Sequence, residues 1–441
     1  MAISRQLGPT APRVMKSHQR FLVLAVLFSL SMLTIVDRVA VSAAKVDMSH
    51  ELGFTDITFG LIFGAFALGY AFFQIPAGLL ADRFGSRLPM ASVVGLWSLF
   101  TGLTIIIQNP AMFVGVWFFF GAAEAGAFPI SARVIRSWLP ARETGMAQGI
   151  LFSGSRLGAA FGLTIVSWAV AGFGWRISFV VLGGLGIIWA AAWLMWFRNT
   201  PEDSPWTSAA EREYIRSDRQ LPATAAAVAP GDKVHQSIWK LRETPALMLQ
   251  YFASNFTFFL CFTWLLPYLR QRYQLGAGEA GLMAAVPLYF GVAANWISGA
   301  VVDRLYRRGW GRVSRVAPAA AGFLIGAAAI CCAAQAQTPW TSVLAIAIAT
   351  FGVDLTLSPS WTLCIDIAGV RTGTLSGAMN MCGNIGSFAS SLAFPMLFRW
   401  TGRWDTFFYC AGAINLCAAI LWLTLRAPGP EQRPHKDCMP R

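Results

Sequence analysis

The second long apolar run of the chain ends in the sequence Gly78-Leu79-Leu80-Ala81-Asp82-Arg83-Phe84-Gly85-Ser86-Arg87. The eighth run ends in a shorter copy, Gly299-Ala300-Val301-Val302-Asp303-Arg304. Both copies read G-x-x-x-D-R, and each stands where a hydrophobic segment gives way to a basic loop. A motif that recurs six runs later indicates that the chain contains two copies of one structural unit.

The composition shows what kind of unit is repeated. Only 12% of the 441 residues are charged, whereas 56% are hydrophobic. A soluble globular chain carries roughly 25% charged residues, so this chain lacks the polar surface needed to fold in water. A membrane-spanning helix needs about 20 apolar residues. Twelve runs satisfy this length, and they begin near Phe21, Thr58, Leu88, Phe113, Met146, Ile177, Ala246, Gly281, Val316, Ser342, Thr374 and Asp405.

A second repeated pattern fixes how the twelve runs are grouped. Residues 144–158 open the fifth run and read T-G-x3-G-x6-R-x-G, while residues 372–386 open the eleventh and read T-G-x3-G-x6-N-x-G. The predicted fold class is therefore all-α: a polytopic membrane protein with twelve transmembrane helices in two pseudo-symmetric six-helix bundles. Two repeated halves of this kind are typical of secondary transporters, whose site lies between the halves near the membrane midplane.

The basic residues orient the chain in the membrane. Of its 34 Lys and Arg residues, most lie in the tails and in the loops on one side. Because basic loops remain in the cytoplasm, both termini are predicted to be cytoplasmic. The first apolar run is interpreted as a retained helix rather than a signal peptide, since eleven further spans follow it. The loops of the opposite side hold Lys45, Arg176, Arg270, Arg272, Arg399 and Arg403.

The predicted domains follow from the runs and from one long polar loop. This loop is rich in proline, so it is interpreted as a cytoplasmic linker, with a short amphipathic helix predicted at Ser208–Arg219. The predicted boundaries are a tail at 1–20, a six-helix bundle at 21–197, the linker at 198–244, a second bundle at 245–426 and a tail at 427–441.

The sequence gives no support for nucleic-acid binding, ATP-driven transport, enzymatic activity or a metal site. The net charge of +13 comes from short clusters between apolar runs and forms no basic face, so nucleic acid is not an expected partner. No G-x-x-x-x-G-K-[ST] sequence is present, so ATP-driven transport is unsupported. The eight cysteines form no CxxC pair, and no histidine falls inside an apolar run. We therefore expect neither an enzyme, nor a metal site, nor a cofactor other than the proton as coupling ion.

Two arginines within spans are the predicted anion-binding residues. An ionisable group inside a span costs at least about 2.5–3.5 kcal/mol, so its presence needs a reason. Arg38 and Arg156 remain charged at physiological pH and offer a planar fork to a carboxylate. The alternative is internal pairing with Asp37 or Glu124 as structural salt bridges.

The carboxylates Asp37 and Glu124 are the predicted proton carriers. A carboxylate whose arginine partner is taken by a substrate loses that partner and can bind a proton, which couples the two events. The alternative is again a fixed ion pair. Asp354, in the tenth run, is a weaker candidate because it is expected near a helix end.

Four polar residues are expected to line the same site. Tyr70 and Gln74 are four residues apart and share a helix face, as do Asn380 and Asn384. In a span, an amide is more informative than an aromatic ring, because the amide needs a hydrogen-bond partner while the ring is commonly packing.

The G-x-x-x-D-R motifs are expected to act as a gate at the cytoplasmic edge. Glycine permits close helix approach, the aspartate can cap a helix or pair across the bundle interface, and the arginines can hold helix ends or lipid phosphates. Such contacts exist in one conformation and break in the other. The predicted gating residues are Gly78, Asp82, Arg83, Gly85, Arg87, Asp303 and Arg304.

The motif and the six-plus-six layout resemble the major facilitator superfamily over nearly the whole chain. A narrower resemblance is to the anion:cation symporter family. It is carried by Asp37-Arg38 in span one, the sequence A-E-A-G-A-F-P at 123–129, Trp138-Leu139-Pro140 with Arg142-Glu143, and Gly174-Trp175-Arg176. The resemblance implies proton-coupled uptake of organic anions, with Arg38 on the substrate carboxylate and with Asp37 and Glu124 as protonation sites.

One position departs from that family. Sugar-acid members often carry an arginine one heptad before the glutamate of span four, where this chain has Trp117. Arg156 stands where other members tend to have a neutral residue and is expected to compensate from the neighbouring helix.

The function that these observations imply is secondary active import of a small organic anion, a sugar acid or another carboxylate, with protons and by alternating access. The expected partners are the anion, protons and membrane lipids, and the expected form is a monomer in the inner membrane. An organic-anion exchanger or a proton-driven efflux carrier remains the alternative. A membrane sensor without transport would need a large soluble output domain, and the linker is too short to supply one.

Overall fold

The computed structural model describes residues 18–219, 238–240 and 242–425. The predicted C-terminal tail, most of the N-terminal tail and linker residues 220–237 lie outside these ranges. The first half contains α1 (Gln19–Leu52), α2 (Asp56–Phe84), α3 (Arg87–Leu103), α4 (Pro110–Glu124), α5 (Ala127–Trp138), α6 (Thr144–Phe173) and α7 (Trp175–Trp196), and the linker contains α8 (Ala209–Asp218). The second half contains α9 (Glu243–Thr263), α10 (Leu265–Tyr273), α11 (Ala277–Arg307), α12 (Gly311–Ala334), α13 (Pro339–Leu355), α14 (Leu357–Ala368), α15 (Thr372–Thr401) and α16 (Asp405–Thr424).

The helices account for the predicted number of spans. Nine helical stretches of the described chain are long and apolar enough to cross a membrane, and two bent pairs raise the number to eleven. One stretch, Pro339–Thr401, covers 63 residues, far more than a bilayer requires. Within it, the Cys364 thiol lies 3.6 Å from Sδ of Met379, although residues 15 apart would be roughly 22 Å apart in a straight helix. The chain therefore turns back at Gly369–Arg371, and its two arms complete twelve spans.

Three spans consist of two consecutive helices each, namely α4–α5, α9–α10 and α13–α14. The second helix of each pair has a proline as its third residue, which is Pro129, Pro267 or Pro359. Proline has no backbone N–H. It is tolerated there because the N–H groups of a helix's first turn have no carbonyl partner within that helix. The breaks leave Glu124 as the last residue of α4 and Asp354 as the next to last of α13. Both carboxylates thus lie at helix ends inside the membrane.

The two halves meet most closely along α2 with α15 and along α6 with α11. A Cβ atom placed on Gly78 would lie 2.2 Å from the carbonyl oxygen of Gly373. One placed on Gly149 would lie 2.3 Å from the carbonyl oxygen of Asn295. Only glycine permits such an approach, so the repeated glycines are the contact points between the halves.

The linker helix α8 is docked on the first half. The Ser208 hydroxyl caps it by accepting the Glu211 backbone N–H at 3.2 Å. The Glu211 carboxylate in turn accepts the side chain of Arg20 at 3.2 Å, and the Tyr214 hydroxyl donates to Glu143 at 2.5 Å. These contacts lie at the end of the molecule that carries both G-x-x-x-D-R motifs, which we call the motif end.

Candidate functional site

Arg38 of α1 and Glu124 of α4 form an ion pair in the middle of the first bundle. Nε of Arg38 donates to Oε1 of Glu124 at 2.8 Å. The glutamate is fully buried, whereas 25% of the arginine side chain is exposed. The other glutamate oxygen and Nη2 of the arginine have no hydrogen-bond partner among the residues described. The internal pair is therefore present, and it leaves one buried nitrogen of the guanidinium and one buried oxygen of the carboxylate without a partner in the described structure.

An aromatic wall holds the Arg38 guanidinium in place. Its Cζ atom lies 4.5 Å from the ring centre of Tyr70 and 5.2 Å from that of Phe66. Behind this wall, Trp117 is buried and packs on Phe66 and Phe120. The position where the resembling family has an arginine is therefore part of the apolar packing here.

Asp37 stands beside Arg38 in the sequence but does not pair with it. Its side chain is buried, and neither of its oxygens has a hydrogen bond within the described part of the chain. The indole of Trp97, whose N–H is likewise unpartnered there, lies close enough to interact with it electrostatically. A buried carboxylate without a counter-charge is costly in its ionised form.

Arg156 pairs with neither of the two carboxylates that the alternative interpretation of the sequence offered it. Arg156 of α6 donates from Nε and Nη2 to the two oxygens of Asp354 on α13, at 2.7 and 2.6 Å. This bidentate pair joins the two bundles. Asp354 is 1% exposed although it lies at a helix end, because the end is an internal break of span ten. Of the internal pairs considered as the alternative to substrate binding, Arg38–Glu124 forms, whereas Arg156 pairs with Asp354 rather than with Asp37 or Glu124.

The predicted polar residues divide into two groups. The Asn380 amide donates to the Tyr70 hydroxyl at 3.5 Å, and the Asn384 amide donates to the carbonyl of Asn380 at 2.8 Å. Tyr70, which lies against Arg38, is thereby linked to α15 across the interface between the halves, and Asn384 follows one turn further along α15. Gln74 is fully buried, its amide atoms have no partner in the described ranges, and its backbone packs on Gly377. In this conformation Gln74 lies in a sealed contact and is not accessible to a ligand.

The first G-x-x-x-D-R motif reaches into the opposite half. Asp82 accepts the backbone N–H groups of Gly373 and Thr374 at 3.0 and 2.8 Å, and the Thr374 hydroxyl at 2.6 Å. Arg133 of α5 lies 3.2 Å from the same carboxylate. The aspartate thus caps the N-terminus of α15, where free N–H groups and the helix dipole favour a negative charge.

The second motif makes the reciprocal contact. Asp303 accepts the backbone N–H groups of Gly145 and Met146 at 2.8 and 2.9 Å, at the N-terminus of α6. Each motif aspartate therefore caps, in the other half, the helix that begins with the repeated Thr-Gly sequence.

The remaining motif residues stay within their own half or face outward. Asn199 accepts the backbone N–H of Arg87 at 2.9 Å, and Nε of Arg87 donates to the carbonyl of Leu194 at 3.0 Å, near the end of α7. Gly85 has a positive φ of 83°, which favours glycine and ends α2. Arg83 and Arg304 are exposed.

The comparisons with known proteins identify the family. Residues 26–391 match the Major Facilitator Superfamily. The chain belongs to the Major Facilitator Superfamily. It is 31% identical over 402 residues to a protein of Cupriavidus necator named as a probable sulfoacetate transporter, covering 90% of this chain and 91% of that one. It is 30% identical over 424 residues to a probable galactarate/D-glucarate transporter of Escherichia coli K12, covering 92% and 94%.

Solved structures agree on the fold. The human organic anion transporter MFSD10 superposes with a TM-score of 0.70 at 15% identity, over 92% of this chain and all of that chain. The superfamily transporter FucP, in its outward conformation, gives 0.68 at 14% identity, over 92% and 99%. The predicted superfamily and fold are confirmed, and membership in a family of transporters shows that the chain is not an enzyme.

In this Major Facilitator Superfamily member the repeat also relates the two carboxylates of the site. Glu124 and Asp354 each precede, by five residues, the proline that opens the second helix of a broken span, Pro129 or Pro359. Spans four and ten are equivalent in a six-plus-six repeat, so the carboxylates occupy equivalent places. From the sequence, Asp354 ranks below Asp37 and Glu124 because it is expected near a helix end, and the structure does place it at one. The shared spacing from acid to proline is the sequence signal that relates it to Glu124.

Proposed function

We propose that the protein is a secondary active transporter that imports a small organic anion, such as a sugar acid or another carboxylate, together with protons. The observation that carries the proposal is the buried Arg38–Glu124 pair, which leaves part of the arginine fork unbound beside the unpartnered Asp37. An arginine is placed in a span at high cost unless an anion compensates it. The relatives, named as transporters of sulfoacetate and of galactarate and D-glucarate, supply the class of anion.

The ion pair suggests how substrate and protons are coupled. A carboxylate that binds the free nitrogens of Arg38 competes with Glu124 for the same guanidinium. Glu124, fully buried, then loses its counter-charge and binds a proton instead. Asp37, which has no counter-charge of its own, is the second proton site. A monoanion that moves inward opposes the membrane potential at about 2.3 kcal/mol per 100 mV, so one proton cancels its charge and a second makes entry favourable.

The motif end would be the cytoplasmic gate in the inner membrane. Both motif aspartates are engaged, so their caps hold the two halves together at that end. Alternating access requires the contacts of Asp82 and Asp303 to break when the substrate is released inside, and to re-form on return.

The test is substrate-induced proton movement in proteoliposomes, followed with a pH-sensitive dye. The panel contains sugar acids, sulfoacetate, short carboxylates and neutral sugars. We expect external alkalinisation with some of the acids and with none of the neutral sugars. Glu124→Gln should abolish it, whereas Glu279→Gln, an exposed acid in the first turn of α11, should leave it unchanged. Uptake of an acid with no proton movement would refute the coupling and leave facilitated transport.

The same vesicles separate symport from the alternatives. In vesicles preloaded with the acid, exchange of labelled for unlabelled substrate needs no net proton movement. A variant with both Asp37→Asn and Glu124→Gln should keep this exchange and lose net uptake. If net uptake without counter-substrate is absent in the wild type, the protein is an obligate exchanger. Acid movement out of the vesicles driven by an inward proton gradient would indicate efflux.

A further inference from the structure

A second arginine–carboxylate pair lies in the same part of the molecule. Arg156 and Asp354 are held by two hydrogen bonds, and the guanidinium Cζ lies 3.6 Å from the ring centre of Phe258 on α9. The amide of Asn295 on α11 also faces Asp354, at 3.4 Å. The arginine side chain is 11% exposed, so the pair borders accessible space.

The pair repeats the arrangement of Arg38 with Glu124. Its carboxylate occupies the place in span ten that Glu124 occupies in span four, one turn and a half before the equivalent proline. In each pair a buried carboxylate at an internal helix end is matched with a partly exposed arginine from a neighbouring helix. The centre of the protein therefore holds two neutralised guanidinium groups rather than one.

The register of α1 and α6 places the two arginines at different depths. The two helices run side by side in the same direction, because Ser31 and Ser155 are hydrogen-bonded at 2.6 Å and Gly162 packs on Val36. Arg156 is therefore level with the residue after Ser31, and Arg38 lies six residues further along. At 1.5 Å per residue, the two positions are separated by roughly 9 Å along the helix axis.

A chain of buried polar and aromatic side chains connects them. Tyr70, which stacks on Arg38, is bonded to Asn380 on α15. One turn further along α15, a Cβ on Gly383 would lie 2.4 Å from the ring of Tyr251 on α9. Tyr251 and Phe258 are seven residues apart and share a face of α9, which leads to Arg156. These side chains mark the path along which a ligand on one arginine would reach the other.

We infer that Arg156 and Asp354 form a second anion subsite, and that the substrate is a short acid with an anionic group at each end. This inference rests on the proposed function. One acidic group binds the free fork of Arg38, and the other takes the place of Asp354 on Arg156. The amide of Asn295 then holds the displaced carboxylate. Trp117 fits this reading, because the second positive charge of the site comes from span five rather than span four.

The test compares diacids with analogues that lack one charge. Wild-type protein in lipid nanodiscs is titrated calorimetrically with the diacids from malonate to adipate and with D-glucarate, and with the monoamide of each. At one or more chain lengths the diacid should bind at least tenfold more tightly than its monoamide, a difference of about 1.4 kcal/mol. The double variant Arg156→Gln/Asp354→Asn should reduce this ratio to about one, while the affinity for the monoamide changes less than about threefold.

The double variant is used because Arg156→Gln alone leaves a buried, unpaired Asp354 and can fail to fold. Arg399→Gln, an exposed arginine near the end of α15, is the matched control and should keep the full preference for the diacid. A preference that persists in the double variant would make the pair a structural link between the bundles and overturn the inference. So would monoamides that bind as well as the diacids. If neither acids nor monoamides bind, the proposed function fails together with the inference.

Discussion

The two halves of this transporter match at the motif end and differ at the centre. At the motif end, Asp82 caps α15 and Asp303 caps α6, so each half supplies one carboxylate and one helix N-terminus. At the centre, the first half supplies two arginines and the carboxylates Asp37 and Glu124, whereas the second half supplies only Asp354 among the described acidic and basic side chains of its buried centre.

The difference follows from what each region has to do. A cap needs only a carboxylate and free backbone N–H groups, which every repeat carries, so a duplicated motif gives a duplicated closure. A site for an anion needs an excess of positive donors in one place, and a strict repeat of neutral residues would not provide it. The proposed gate therefore keeps the symmetry of the repeat, and the proposed site departs from it.

The largest effect is expected where the asymmetry is greatest, at Arg38. Arg38→Gln removes the anion-binding fork and leaves Glu124 buried without a counter-charge, a change worth about 2–5 kcal/mol. Uptake by proteoliposomes should fall by more than about 100-fold. Arg38→Lys keeps the charge but not the planar fork, so uptake by this variant should fall about tenfold. Normal uptake by Arg38→Gln would contradict the site described here, and Arg399→Gln serves as the control.

The next largest effect is expected at the close approach of α2 to α15, on which the proposed gate depends. Gly78→Ala places a Cβ 2.2 Å from the carbonyl oxygen of Gly373, so α2 and α15 must separate. Overpacking of this kind costs about 1–3 kcal/mol. Spin labels on the exposed residues Arg216 and Val370, in a cysteine-free background, should report a larger distance across the motif end. Gly95→Ala, which meets no atom of the described structure within 4 Å, should leave the distance unchanged.

A smaller effect compares the two caps directly. Asp82 accepts four hydrogen bonds, one of them from Arg133, whereas Asp303 accepts two. Loss of a cap costs about 0.5–2 kcal/mol. Asp82→Asn and Asp303→Asn should both raise the open fraction at the motif end, in the same spin-label measurement, with the larger rise for Asp82→Asn. Equal effects would show that the additional contacts of Asp82 contribute nothing to closure.

The smallest effect concerns the linker helix α8, which contacts the first half. Tyr214→Phe removes the hydrogen bond to Glu143 and the one accepted from Nε of Arg142, and should lower stability by about 1 kcal/mol. A thermal unfolding scan should show a decrease in Tm of about 1–2 °C. Transport should not change, since the helix lies outside the central site. A Tyr409→Phe variant, at a half-exposed tyrosine of α16, is the control, and a transport defect in Tyr214→Phe alone would give α8 a role in gating.

Most residues of the candidate site could be selected from the sequence, but their pairing could not be predicted from it. The cost of an ionisable group in a span is a local property, so Asp37, Arg38, Glu124 and Arg156 could be selected from their positions alone. Pairing is not local. Arg156 and Asp354 are separated by 198 residues, and only the packing of α6 against the second half brings them within hydrogen-bond distance. Sequence distance gave no reason to prefer this partner over Glu124.

The sequence by itself determined the twelve spans, the division into two repeated halves, the motif and the ionisable residues that require an explanation. These follow from hydrophobicity, length and periodicity, because the apolar core of a bilayer imposes the same length and polarity requirements on every spanning helix. The tertiary structure decided that Asp37 has no counter-charge near it, that Gln74 is sealed between the halves, and that Asp354 is the partner of Arg156. Each of these depends on helix register and on breaks before prolines, where a shift of one residue turns a side chain by about 100° to another neighbour.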